Sequence, residues 1–255
     1  NCNSLSFLNL SEFITPKVVN MESMFESCNN LTSINIKANN FNTSQVTNMN
    51  SMFSNCFKLQ QIDTSKFDIR EVKNISKMFS NCGSLTQLNL ASFNGINLED
   101  SSEMFEFCEN LTSIKFFNFD GHNLTNISNM FHNCKKLDYL DMSSFSFSEL
   151  KDMKSLFHGC ESLQSIDFFN FIDSNVNNMS SLFYDCISLK SLNLTTFRTD
   201  QVLYMDKMFY NCTNLSLVDL SSFDTNNVES MNQMFYSCNL LNNLTLKNFN
   251  TSLVR

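Results

Sequence analysis

Apolar residues return along this chain in columns set by a cysteine. Cys2, Cys28, Cys56, Cys82, Cys108, Cys134, Cys160, Cys186, Cys212 and Cys238 stand 26 residues apart at every step but one, the step from Cys28 to Cys56 being 28. Three residues after each cysteine comes a leucine, from Leu5 and Leu31 to Leu215 and Leu241. Six after it comes an aliphatic residue, such as Ile34, Leu88, Leu140 or Val218, and eight after it another apolar one, with Thr64 the lone polar exception. This alternation predicts a short strand with one buried face. Three positions further on stands a phenylalanine (Phe13, Phe67, Phe93, Phe119, Phe145, Phe171, Phe197, Phe223 and Phe249), joined by Phe41 once the two-residue insertion around Lys37, Ala38, Asn39 and Asn40 is allowed for. That insertion predicts an outward bulge at one corner.

The second half of each repeat changes period. Val72, Ile75, Met78, Phe79 and Cys82 are spaced three, three, one and three, as are Val228, Met231, Met234, Phe235 and Cys238. Such spacing predicts one face of a short helix, with polar residues ahead of the valine placed to cap its start. Ser101 departs from the pattern, standing where its neighbours carry Met or Ile. One repeat is therefore predicted as strand, turn with a buried Phe, short helix and tight loop. A period this strict is that of a solenoid, whose coils cannot hide their apolar face except against each other. The fold class expected is a leucine-rich-repeat-like solenoid with one short strand and one short helix per 26-residue coil and a parallel strand stack. Residues 1–255 form a single continuous solenoid of nearly ten coils. At about 4.8 Å per strand it makes a rod about 45–50 Å long. Cys2 opens in mid-repeat and Val254 and Arg255 stop where the next helix should begin. With no polar capping coil in view, this reads as a fragment of a longer repeat protein, or as ends that stack on other molecules.

With these columns in place, segments such as Val218-Asp219-Leu220-Ser221-Ser222-Phe223-Asp224, followed by Val228, Met231, Met234-Phe235 and Cys238, resemble the 26-residue bacterial-surface-protein repeat, a variant of the BspA-like leucine-rich repeats. The resemblance covers essentially the whole chain. It implies a right-handed solenoid on secreted or surface-anchored proteins, with roles in attachment and surface coating, and it brings no catalytic residues to carry over. Localisation at the cell surface or outside the cell follows from that resemblance.

Charge narrows the partners. A formal net charge of −8 and a pI near 4.8 disfavour nucleic acid and anionic membrane, and no apolar run approaches the roughly 20 residues of a bilayer span. The partner expected is a protein or a surface glycan, or another copy joined end to end. No cofactor is implied.

The candidate chemistry is thin. Ten cysteines suggest disulfides by number, and stacked coils would bring their Cα atoms within bridging range. Side chains in one column all point the same way, however, and bridging them would distort the stack, which favours buried free thiols. His122, His132 and His158 have no compact Cys/His cluster around them that would favour a metal. Of thirteen Asn-x-Ser/Thr sequons, Asn74, Asn126 and Asn178 share one column in alternate coils, and Asn30, Asn110 and Asn214 share another. They are the candidate N-glycosylation sites in a eukaryotic secreted setting.

The outward column seven after the cysteine is mostly Asn and Asp, including Asp141 and Asp167. It reads as a solvated ladder or as a ligand face; two carboxylates alone fall short of a calcium cage. Tyr139, Phe117, Phe169 and Leu217 stand on or beside this face where most coils carry small or polar residues, and are the candidate partner contacts. No column joins a nucleophile, a base and an orienting group. The function expected is a non-enzymatic extracellular or cell-surface structural or adhesive repeat protein, in one version the building block of an extracellular fibre. The alternative is a receptor-like ectodomain that binds a ligand through its strand face.

Overall fold

In the computed structural model the described residues are 2–36, 41–117, 119–168 and 175–255. The insertion at 37–40 and Phe171 lie outside them. Among the described residues nine strands follow one another: β1 (Phe7–Asn9), β2 (Ser33–Asn35), β3 (Gln87–Leu90), β4 (Ser113–Phe116), β5 (Tyr139–Asp141), β6 (Ser165–Asp167), β7 (Ser191–Asn193), β8 (Leu217–Asp219) and β9 (Asn243–Thr245). Every pairing is parallel and in the register of the repeat, Leu88 opposite Ile114, Leu140 opposite Ile166 and Val218 opposite Leu244. The coil between β2 and β3 adds a single parallel bridge, Ser33 to Gln61. The chain is thus a parallel β-solenoid of about nine turns. The alternating pattern works as expected, since Ile34, Leu88, Leu140 and Val218 point into the core while their strand neighbours face water.

The core runs the length of the stack. Phe53, Phe79, Phe105, Phe131, Phe157 and Phe183 form a buried ladder of near-parallel rings, 5.5 Å apart between Phe105 and Phe131 and 5.7 Å between Phe131 and Phe157. The turn phenylalanines Phe67, Phe93, Phe119, Phe197 and Phe223 are buried beside it. Thr64, the polar exception among the strand columns, is buried too and donates its hydroxyl to the carbonyl of Asn89. Ser101 is fully buried, its hydroxyl 4.0 Å from the sulfur of Met130.

The predicted helix in each coil is absent, and this corrects the sequence reading. The second half of the coil is a chain of turns. Met78, Ser80, Cys82 and Leu85 each donate their N–H to the carbonyl three residues back. Between them Ile75, Lys77, Phe79 and Asn81 donate instead to Asp100, Ser102, Met104 and Glu106 of the next coil, at 2.7–3.0 Å. An α-helix would spend all these groups within itself; here half of them bind coil to coil. The geometry needs left-handed backbone at two places per coil, seen at Ser51 and Asn55, Lys77 and Asn81, and Lys207 and Asn211, with φ between 54° and 61°. The second of these positions is often Asn, Asp or Gly, the residues that enter this region at least cost. Ser27 and Ser237 also take it, and Phe107 is the one bulky residue there. The spacing misled because consecutive three-residue turns aim side chains inward at the same intervals as a helix face.

The polar residues ahead of the valine therefore cap no helix. Asn97, Asn123 and Asn227 donate Nδ2 to the carbonyls of Arg70, Ile96 and Asp200 in the preceding coil. Thr199 and Thr225 are buried and donate their hydroxyls to Asp224 and Asn250 in the next.

Candidate functional site: the strand face and its flanking ladders

Most polar side chains of the solenoid are spent holding the backbone. In the outward strand column Asn9, Asp63, Asn89, Asp141, Asn193 and Asp219 each accept the N–H two residues on, closing the turn that ends the strand. Asp141 also accepts from the Ser143 hydroxyl, and these bonds hold its carboxyl below the usual range. Asp167 lies opposite Asp141 and takes the Tyr139 hydroxyl at 2.5 Å, a bond that pushes the Tyr139 phenol up to about 12. This column is mainly a structural ladder.

The sequons divide by the same test. Asn74, Asn126 and Asn178 use Oδ1 to accept the N–H of Ser76, Ser128 and Ser180, which engages the carbonyl end of the amide. Asn30, Asn110 and Asn214 spend Nδ2, the atom that would carry a sugar, on the carbonyls of Asn3, Gly83 and Ile187.

The ten cysteines are free thiols. Those from Cys56 to Cys238 donate S–H to a phenylalanine carbonyl of the preceding coil, Cys108 to Phe79 and Cys134 to Phe105 among them, at 3.0–3.3 Å. Burial pushes the Cys108 thiol up to about 12, so the buried run from Cys56 to Cys212 is unreactive.

On the turn side a second ladder emerges that sequence reasoning missed. His132, His158, Tyr184, Tyr210 and Tyr236 occupy one column, with ring centroids 4.3–4.8 Å apart. His132 Nδ1 is 2.9 Å from the Glu106 carboxylate. Burial, helped by His132, lowers His158 to about 4. The signal was available, since these residues are spaced by the repeat. Their rings cover one another's faces, so the ladder is a packing device. Among the described residues no three His, Cys, Asp or Glu converge to hold a metal ion, and no helix is long and apolar enough to cross a membrane.

The exception to this spent surface lies where β3, β4 and β5 stack. Phe117 is 65% exposed just past β4, and Tyr139 is 45% exposed on β5. They help line one hollow of about 500 Å³, floored by Ile114 and Phe116 and edged by Lys115, Asp138 and Asp141. A second hollow of similar size adjoins it, sharing Ser113 and Lys115, and is lined by Gln60, Gln61, Gln87 and Asn89. Of the sequence candidates, Phe117 and Tyr139 come together. Leu217 is exposed on β8, three coils from Tyr139, and Phe169 lies outside the described residues. Gln61, Gln87, Lys115 and Asp138 were not singled out in the sequence. Their signal was departure from the Ser, Thr and Asn of their columns.

Solved structures of leucine-rich repeat proteins resemble the chain. A leucine-rich repeat protein from Eubacterium ventriosum superposes with a TM-score of 0.50 at 14% identity, over 96% of this chain and 80% of that one. A leucine-rich repeat protein from Bacteroides ovatus gives 0.46 at 21%, over 93% and 68%. The leucine-rich repeat protein of T. pallidum gives 0.44 at 19%, over 82% and 78%. The first of these likenesses carries the fold: a leucine-rich-repeat solenoid. No curated protein sequence matches the chain. The family described as "Mycoplasma protein of unknown function, DUF285" matches residues 1–117, 102–192 and 164–255. With every coil falling inside those matches, the chain belongs to the DUF285 family of repeat proteins.

Proposed function

We propose that this protein is a non-enzymatic repeat module of the cell surface or extracellular space that adheres to a partner through its strand face. One observation carries the reading. The side chains that break the repeat's columns, Lys115, Phe117, Asp138 and Tyr139, gather on one stretch of that face. There the Tyr139 hydroxyl is tied to Asp167, but its ring and that of Phe117 stand exposed, whereas the asparagines, threonines and thiols elsewhere hold coils together. A solenoid needs only its columns to fold, so departures that cost nothing in the core and cluster outside it are what recognition would use.

Beads coated with the chain should adhere to cultured host cells or to extracellular matrix. Phe117→Asp with Tyr139→Asp should abolish the attachment, while Tyr236→Ser on the turn side should leave it intact. Attachment unchanged by the strand-face pair would overturn the reading. End-to-end assembly into a fibre is the other form of the proposal, seen as filaments in electron micrographs that persist in the strand-face variant. Passed through a eukaryotic secretory route, the chain would carry sugar on Asn74, Asn126 and Asn178, whose Nδ2 is not given to a neighbouring coil, before Asn30, Asn110 and Asn214.

A further inference from the structure

Which partner the strand face takes follows from what its two hollows offer. The first contributes flat apolar surface, the exposed rings of Phe117 and Tyr139. The second contributes neutral planar amides, Gln61 and Gln87, exposed and one coil apart in the same column. Among the described residues neither glutamine side chain has a hydrogen-bond partner, unlike Asn97, Asn110, Asn123 and Asn214, whose Nδ2 atoms are given to neighbouring carbonyls. Asn89 and Asp141 border the two hollows, each with one oxygen engaged in its own turn.

A linear peptide gains most of its affinity for a sheet by pairing with an open strand edge. No such edge is open here: β3 and β4 are hydrogen-bonded to each other, and β4 and β5, though not paired as strands, lie too close together for a third strand to enter between them. Recognition must come from side chains alone. A strongly charged ligand is also disfavoured: the hollows hold Lys115 against Asp138 and Asp141, and the chain as a whole is at −8. Planar amides and carboxylates that pair with adjacent hydroxyls, next to aromatic faces that receive the apolar side of a ring, are the chemistry of sugar recognition.

We infer that the two adjoining hollows over β3, β4 and β5 form a binding track for a neutral oligosaccharide, with its pyranose rings stacking on Phe117 and Tyr139 and its hydroxyls pairing with Gln61, Gln87, Asn89 and Asp141. This inference rests on the strand-face reading above and specifies its ligand. Side chains of this track stand on successive coils, so a chain of several rings engages it and a monosaccharide does not.

The test titrates the whole chain with cello-, manno-, galacto- and chito-oligosaccharides, following tyrosine fluorescence and heat, and in parallel screens a display library of random linear peptides. At least one neutral oligosaccharide should bind, with little change on adding salt. Tyr139→Ala and Phe117→Ala should each weaken it about tenfold, the effect of one central contact, and Gln61→Ala with Gln87→Ala should weaken it several-fold. All four positions are solvent-facing, so the Phe117 and glutamine variants should melt with the parent. Tyr139→Phe, which keeps the ring and loses only the bond to Asp167, should retain saccharide binding and so separates loss of that bond from loss of the stacking face. Peptides that bind through Phe117 and Tyr139 while no saccharide does would overturn the glycan assignment and leave the strand-face reading standing. Saccharide binding indifferent to all four substitutions would also overturn the assignment. If neither class of ligand binds this face, both readings fall.

Discussion

Raising the pH should unfold this protein abruptly, because its core is threaded by thiols that must stay protonated. Burial raises Cys56, Cys82, Cys108, Cys134, Cys160, Cys186 and Cys212 far above the ordinary thiol value of 9.0, to about 12 for Cys56 and Cys108. Below pH 9 both folded and unfolded chains hold these protons, and the thiols favour neither state. Above it the unfolded chain loses protons that the folded chain keeps, so stability falls with pH until the folded values are reached. At about pH 10 each such thiol costs about 1.4 kcal/mol. The seven together cost on the order of 10 kcal/mol, within the range of a whole domain's stability.

Circular dichroism and ultraviolet thiolate absorbance, followed together through an alkaline titration, check this. The two signals should move as one, at about pH 10, with thiolates appearing only as the fold is lost. Replacing Cys108 and Cys134 with Ala should move the midpoint upward after correction for the neutral-pH cost. Thiolate absorbance rising with an ordinary midpoint while the dichroism stays native would refute the buried column. So would fewer than ten titratable thiols in denaturant.

Three further outcomes are expected. Phe131→Ala opens the ring ladder between Phe105 and Phe157 and should cost about 3–5 kcal/mol in chemical denaturation, more than Phe235→Ala, whose ring is only partly buried and packs against Phe209; equal costs would argue against a stacked core. Asn110→Ala removes the bond to the Gly83 carbonyl and should cost about 0.5–1.5 kcal/mol, whereas Gln87→Ala, which keeps the backbone pairing of β3 with β4 and trims only an exposed side chain, should leave the denaturation midpoint unchanged. His158, lowered to about 4 by burial and by His132, favours the folded state only while neutral. The unfolded chain takes up its proton first as pH falls below about 6.5, so stability should decline from there to about pH 4. His158→Tyr, which extends the Tyr184 and Tyr210 stack, should flatten that decline in melting curves against pH; an unchanged acid slope would show that His158 is not the titrating group.

The sequence alone determined the period, the parallel strand register and the core columns, because every coil makes the same choice and each column is its own internal test. Leu88, Ile114 and Leu140 could face only one way. It also favoured unbridged cysteines, since a column of parallel side chains leaves no room for pairwise rotation. What tertiary structure alone decided was the second half of the coil and the binding face. Val72, Ile75, Met78, Phe79 and Cys82 are spaced alike on a helix and on a chain of three-residue turns, and the two differ in where Ile75, Lys77, Phe79 and Asn81 send their N–H groups. Those acceptors lie 25 residues ahead, in a coil no local pattern can see. The Asn, Asp and Gly before many of the cysteines were the one local hint of left-handed backbone. The hollows beside Phe117 and Tyr139 arise in the same way, from side chains of different coils whose proximity exists only once the coils stack.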